Sequence, residues 1–426
     1  MSANVSKKGS EKRAWLLFLP LLLLYAASYF QRTAIPGTIF EQLAGAIGRG
    51  FVAALGPAFI WIYSASQLGI GVLIDRFSVK YVVLTGGAFF VLGVLIFPFV
   101  ATPWAMYAAR MSAGLGAGTL YLSLVREVDR LFGRKNYALM MGVVYVVGYG
   151  GGMLGTLPFG RVVHWANNDW HLVLLWIAVF SLICYLWFAA AYRKEKVADM
   201  LSSAGGSTAP PLPAALKKLF CSSRNWMAMM GGTINFAIYF TIQTVFGKKF
   251  LTDIPGFSEA GAESVIFVMT LVCMAVLFSS SLLSRVLDNR RKPLLYAAAM
   301  LEFITVGVMT ATLHWQWNIW LYPVCFCCFA AASGMLIVYT MTAQELGCEA
   351  MMTQSAGLNN MINYFGAVAL TLIASAYLEN FSPAAASAYP PEAYKGLFSY
   401  LLVPAAAGVI FVRLLPETRG KFLDSL

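Results

Sequence analysis

Tyr25, Tyr29 and Arg32 share one helical face at spacings of four and three. A guanidinium flanked by aromatic side chains is an anion receptor in miniature. It offers a bidentate donor fork to a carboxylate or phosphate and cannot lose its charge. The competing reading is an interfacial arginine snorkelling to the outer headgroups, because Pro36 follows four residues later. Asn235, Tyr239 and Gln243 form a neutral polar stripe at spacing four, and Asn359, Asn360 and Asn363 gather on one side of another helix. A neutral donor and acceptor face together with one arginine suits a small monoanion carrying hydroxyl or amide groups. Helix–helix hydrogen bonding explains such asparagines equally well.

Two further ionisable residues fall inside apolar runs. Arg110 lies about seven residues beyond Pro103, or roughly 10 Å along a helix, a depth at which an unpaired guanidinium is costly. It shares a face with Gly114, Ala117 and Tyr121, and it either binds cargo or braces two helices through their carbonyls. Glu302 is the acid that lies well inside an apolar run. Its readings are proton coupling, a structural pairing, or a lipid-facing protonated side chain. The three histidines, His164, His171 and His314, do not converge, so no catalytic constellation and no enzyme are expected. Cys325, Cys327 and Cys328 read as small core residues without metal-site spacing, and neither metal nor cofactor is expected.

The elements that must position these residues are membrane helices. The chain has 426 residues, 59% of them hydrophobic and only 12% charged, with a mean hydropathy of +0.71. Twelve apolar runs are each long enough to cross about 30 Å of hydrocarbon, at 14–35, 52–74, 81–101, 103–125, 136–159, 171–192, 225–247, 262–284, 293–313, 316–341, 354–378 and 395–414. The net charge of +11 does not indicate nucleic acid. Of the 30 Lys and Arg, 23 fall on one side if both termini are cytoplasmic, which fits the positive-inside rule. Short loops point to a multi-pass protein of a bacterial inner membrane.

The same pattern recurs 218 positions apart. Gly116, Tyr121 and Glu127 return as Gly334, Tyr339 and Glu345, and Ala138 and Gly148 return as Ala356 and Gly366. Duplicated helical halves are how many secondary transporters are built. A Ser, Gly and Pro-rich stretch separates them, so the expected organisation is a six-helix half at 1–192, a cytoplasmic linker at 193–224 and a second half at 225–426.

The segment Gly71-Val72-Leu73-Ile74-Asp75-Arg76-Phe77-Ser78-Val79-Lys80 resembles the loop signature of the major facilitator superfamily, with Ser78 and Val79 replacing the usual Gly and Arg. Arg285-Val286-Leu287-Asp288-Asn289-Arg290-Arg291-Lys292 is a degenerate copy in the equivalent loop. Arg110-x-x-x-Gly114-x-Gly116 is similar to the superfamily's second signature, and Pro416-Glu417-Thr418-Arg419-Gly420 resembles a C-terminal latch. The resemblance implies an all-α fold of twelve transmembrane helices in two pseudo-symmetric halves that rock around a midplane site. It also implies cytoplasmic gates at Gly71, Asp75, Arg76 and Glu127, and at Arg285, Asp288 and Glu345.

Tyr29-Phe30-Gln31-Arg32-Thr33 resembles the first-helix pattern of the anion–cation symporter family, in which the Arg engages the acid group of the substrate. Gln31 stands in place of that family's proton-carrying Asp. The expected cargo is a small organic anion bound by Arg32, with Tyr25, Tyr29, Arg110, Tyr121, Asn235, Tyr239, Gln243, Asn359 and Asn363 as contacts. Secondary active or facilitative transport by alternating access is expected, with a proton or sodium as the coupling ion where the transport is symport or antiport, in a monomer within the lipid bilayer. The alternatives are an exporter of a neutral or amphiphilic solute, such as a drug or lysolipid, and a non-transport sensor or enzyme.

Overall fold

The computed structural model describes residues 2–196, 212–347, 349–381 and 388–423. Among these, every regular element is a helix. That follows from the composition, since a backbone in hydrocarbon must satisfy its polar groups within one segment. Ten of the helices are long and apolar enough to cross a bilayer. They differ from the twelve expected runs at two places. The fourth and fifth runs form one helical stretch, Pro103–Leu154, broken at Gly133, whose φ of 70° needs a residue without a Cβ. The seventh run starts as the helix Ser223–Thr241 and passes through a π turn, Ile242–Phe246, so it holds no single apolar helix of spanning length. The first run also meets a π turn, at its end: Ser2–Thr33, which is long enough to span, passes through Ala34–Thr38 into the short helix Phe40–Ile47. Such π turns are rare and gather at functional positions.

The chain forms two compact units, Met1–Leu212 with Glu349–Leu358, and Pro213–Cys348 with Asn359–Leu426. Residues 197–211 of the expected linker lie outside the described residues. The N-terminal unit takes in the start of the helix Met352–Glu379, and glycines permit this: a Cβ at Gly71 would lie 2.8 Å from the Thr353 carbonyl oxygen, and one at Gly357 would lie 2.6 Å from that of Gln67.

The sequence repeat does the same packing work in both units. In the N-terminal unit a Cβ at Gly148 would stand 2.7 Å from the Tyr25 ring on the first span, and in the C-terminal unit one at Gly366 would stand 2.2 Å from Thr233 Cγ2 on the seventh. A Cβ at Gly116 would meet Phe90 N at 2.3 Å, and its counterpart Gly334 would meet Val276 Cβ at 2.5 Å. Small residues at these crossings let backbones approach, which is how helices associate where lipid removes the hydrophobic drive between them. The outward faces are apolar. Trp176, Phe180 and Ile183 on Trp170–Tyr192 are exposed at spacings of four and three, a stripe that only lipid covers without cost.

Candidate functional site

In the N-terminal unit the first span carries Arg32 into an aromatic cage. Its guanidinium carbon lies 4.2 Å from the ring centre of Tyr29, 4.1 Å from that of Tyr63 and 5.8 Å from that of Phe59. Tyr29 is one turn back on the same helix, while Phe59 and Tyr63 come from Arg49–Phe77 at a spacing of four. Ring faces attract a cation most strongly where water is scarce. Arg32 itself is half-buried.

Behind the cage lies a run of tyrosines. The Tyr25 hydroxyl donates to Tyr29 at 3.2 Å, the Tyr25 and Tyr121 rings stack at 6.1 Å, and the Tyr121 and Tyr145 hydroxyls are 2.8 Å apart. Tyr25 and Tyr121 are buried and support the cage from within. Sequence reasoning missed Phe59 and Tyr63. Their signal was present as two aromatics four apart in the second run, but nothing in the chain paired that face with Arg32.

Arg110 is 1% exposed. Its Nη1 donates to the Gln31 carbonyl at 3.0 Å and its Nε to the Leu55 carbonyl at 3.4 Å, and its guanidinium lies 4.6 Å from the Phe59 ring centre. These contacts tie the residue before Arg32 to the helix that supplies Phe59 and Tyr63. They are the contacts of a brace.

In the C-terminal unit several of the neutral polar groups are engaged within their own half. Gln243, at the π turn, donates to Thr270 at 2.7 Å, Thr233 donates to Asn363 at 2.9 Å, and Asn359 donates to Thr340 at 3.2 Å. Asn360 is half-buried, and Tyr239 is buried on the helix Ser223–Thr241. Glu302 is 2% exposed and takes a long, 3.4 Å hydrogen bond from Asn235, with no partner for Oε1 among the described residues. It therefore faces the inside of the unit and not lipid, which removes one of the three readings of this acid. Cys325 is buried, and Cys327 and Cys328 are half-buried.

The expected gate residues sort into two clusters. In the N-terminal unit Asp75 accepts from the Gln354 backbone N–H at 3.3 Å, at the start of Met352–Glu379, where a helix N-terminus favours negative charge. Glu127 pairs with Arg130 at 2.5 Å and accepts from the Tyr192 hydroxyl at 2.7 Å. Arg130 and Arg13 both reach Glu195, at 3.4 and 2.5 Å. Arg76 is exposed.

In the C-terminal unit Glu345 pairs with Arg291 at 2.7 Å and accepts from Thr418 at 2.5 Å, and Arg291 also donates to Ser284. Glu417 accepts the Arg291 and Lys292 backbone N–H groups at 2.7 and 3.2 Å, closing the start of Lys292–Trp315. The cation on Glu345 is thus Arg291. Asp288 is exposed in a left-handed turn at φ 52° and makes no ion pair among the described residues.

The chain matches the family description Major Facilitator Superfamily over residues 21–371. A curated relative, the MFS-type transporter ungB of Aspergillus violaceofuscus, is 28% identical over 115 residues, 27% of this chain and 21% of the relative. The chain therefore matches about a fifth of that relative's length. Among solved structures, the proton:xylose symporter XylE bound to 6-bromo-6-deoxy-D-glucose superposes with a TM-score of 0.71 at 13% identity, covering 97% of this chain and 98% of that one. The Escherichia coli fucose:proton symporter FucP superposes with a TM-score of 0.67 at 14% identity, covering 93% and 97%. At these identities the likeness shows the fold, and the family match covers most of the chain. The chain belongs to the major facilitator superfamily and is a multi-pass membrane transporter, not an enzyme.

Proposed function

We propose that this carrier moves a small organic anion by alternating access, and that Arg32 receives the anionic group. The observation that carries this reading is the placement of the Arg32 guanidinium over the rings of both Tyr29 and Tyr63. Aromatic faces lower the cost of holding a cation at membrane depth, and the in-plane N–H fork matches a carboxylate or phosphate. Tyr25 and Tyr121 fix the cage, and Arg110 acts as a positioning residue through the Gln31 and Leu55 carbonyls. Asn235, Tyr239, Gln243, Asn359 and Asn363 supply neutral groups for the cargo. Glu302 is the acid assigned to proton coupling. The Asp75, Glu127 and Glu345 clusters act as gates that part when the carrier faces inward. Both termini lie in the cytoplasm of a bacterial inner membrane, and the working unit is a monomer.

A second reading has a neutral solute as cargo. It draws on the neutral stripe Asn235, Tyr239 and Gln243, and the solved proteins of this fold named above are described as sugar symporters. One experiment separates the two. Purified protein is screened by thermal shift against carboxylates, sugar acids, phosphorylated metabolites, neutral sugars and lipophilic cations, because a ligand of the folded state raises its stability. Stabilisation by an anion that disappears in Arg32→Ala supports the anion carrier. Stabilisation only by neutral or cationic compounds, retained in that variant, overturns it.

A further inference from the structure

One end of the C-terminal unit carries a basic cleft apart from the proposed cargo contacts. Its volume is about 420 Å³, and it is lined by Arg290, Lys292, Tyr296, Arg413, Glu417 and Arg419, with Pro293 between. Four cations surround one carboxylate. That carboxylate is already engaged: Glu417 accepts the backbone N–H groups of Arg291, Lys292 and Arg419. No acidic side chain pairs with Arg290, Lys292, Arg413 or Arg419 among the described residues. Excess positive charge held this close, without an internal counter-ion, calls for an external anion.

Position decides which anion. The cleft lies where Lys292–Trp315 begins and Pro391–Leu414 ends, at the termini of two membrane spans. Tyr296, one turn into the first of these helices, is 39% exposed, as an aromatic at headgroup level is. Ile410 and Leu414, on the last turns of the other helix, are 58% and 59% exposed and form an apolar flank beside Arg413. A ligand that meets the cations and these apolar side chains together has a phosphate attached to acyl chains.

We propose that this cleft binds the phosphodiester headgroup of an anionic phospholipid, with Arg413 and Arg419 as its principal donors and the acyl chains along Ile410 and Leu414. Basic pockets at span ends recognise lipid headgroups through this combination of charge and depth, at about 1 kcal/mol for each cation near the surface. The inference stands apart from the cargo assignment, since the cleft is built from the C-terminal unit and the Arg32 cage from the N-terminal one.

The test uses the full-length protein in detergent, with thermal shift and native mass spectrometry against three probes: phosphatidylglycerol, phosphatidylcholine and the soluble headgroup glycerophosphoglycerol. Phosphatidylglycerol is expected to stabilise the protein and to remain bound, and the other two are not. In R413Q/R419Q, apparent affinity for phosphatidylglycerol should fall about fivefold per cation removed, or roughly 25-fold. The control R161Q/K395Q, with equal loss of charge elsewhere, should leave it unchanged. A melting temperature for ligand-free R413Q/R419Q equal to that of the parent shows that the fold is intact. Unchanged phosphatidylglycerol binding by R413Q/R419Q, or equal stabilisation by phosphatidylcholine, overturns the site. Equal stabilisation by glycerophosphoglycerol overturns the lipid as its source.

Discussion

The guanidinium of Arg32 lies over the ring of Tyr63, 4.1 Å from its centre, although Tyr63 belongs to a neighbouring helix and lies 31 positions away in the chain. A cation held in this way depends on the ring and not on the phenolic hydroxyl. Tyr63→Phe should therefore preserve anion-dependent stabilisation. Tyr63→Leu should weaken ligand affinity about tenfold, since a desolvated cation–π contact is worth roughly 1–2 kcal/mol. Titration of each variant with the best anion by thermal shift checks this. Equal affinities for the Phe and Leu variants would remove the ring from the argument.

Much of this architecture is legible in the sequence because its causes are local. Runs of apolar residues set the spans, and the offset repeat places Gly148 and Gly366 at matching crossings. The partners of those residues are less legible. Glu345 is legible as a gate residue, but its partners are not: the structure brings Arg291 and Thr418 to it, and Ser284 to Arg291. Tyr63 and Phe59 were invisible for the same reason, since helical spacing reveals which residues share a face but not which face meets which. The π turns after the first and seventh spans carry no composition signal of their own.

The Arg291–Glu345 pair is almost fully buried, with side-chain exposures of 6% and 7%. Removing one partner leaves the other charge uncompensated, at a cost of roughly 3–5 kcal/mol. Arg291→Met should therefore lower the melting temperature sharply, and the double variant R291M/E345M should recover much of the loss. A double variant less stable than R291M would show that the pair itself, and not the stranded carboxylate, sets the cost.

At Gly366 the obstacle to a larger residue is a single methyl group. An added Cβ lies 2.2 Å from Thr233 Cγ2, and the next Thr233 atom is 3.7 Å away. Gly366→Ala should cost about 1–3 kcal/mol through overpacking. Adding Thr233→Ser, which removes the methyl and keeps the hydroxyl on Asn363, should restore most of it. No such rescue exists at Gly71, where the obstacle is the Thr353 backbone carbonyl. Melting temperatures of the three single variants and the G366A/T233S pair decide the matter. An unrescued pair would mean that the helices part for another reason.

Arg110 separates bracing from binding. If it acts through the Gln31 and Leu55 carbonyls, Arg110→Met removes two buried hydrogen bonds from a charged donor, at about 1.5–3 kcal/mol each. The melting temperature should then fall while a saturating anion still raises it by most of the parental shift. Complete loss of the ligand shift with an unchanged ligand-free melting temperature would instead make Arg110 a direct contact.

Glu302 is the acid whose burial inside the C-terminal unit has no structural counter-ion among the described residues to explain it. Its long contact with Asn235 is neutral on one side, and Gln at this position preserves both shape and a hydrogen-bonding amide. Glu302→Gln should therefore fold and bind the anion like the parent, because nothing in the Arg32 cage changes. In proteoliposomes, however, it should lose accumulation driven by an imposed pH gradient while keeping exchange of labelled for unlabelled cargo, since exchange needs the alternating step without net proton movement. Wild-type accumulation in Glu302→Gln would rule Glu302 out as the coupling acid. Loss of exchange together with accumulation would give it a structural place in the cycle instead.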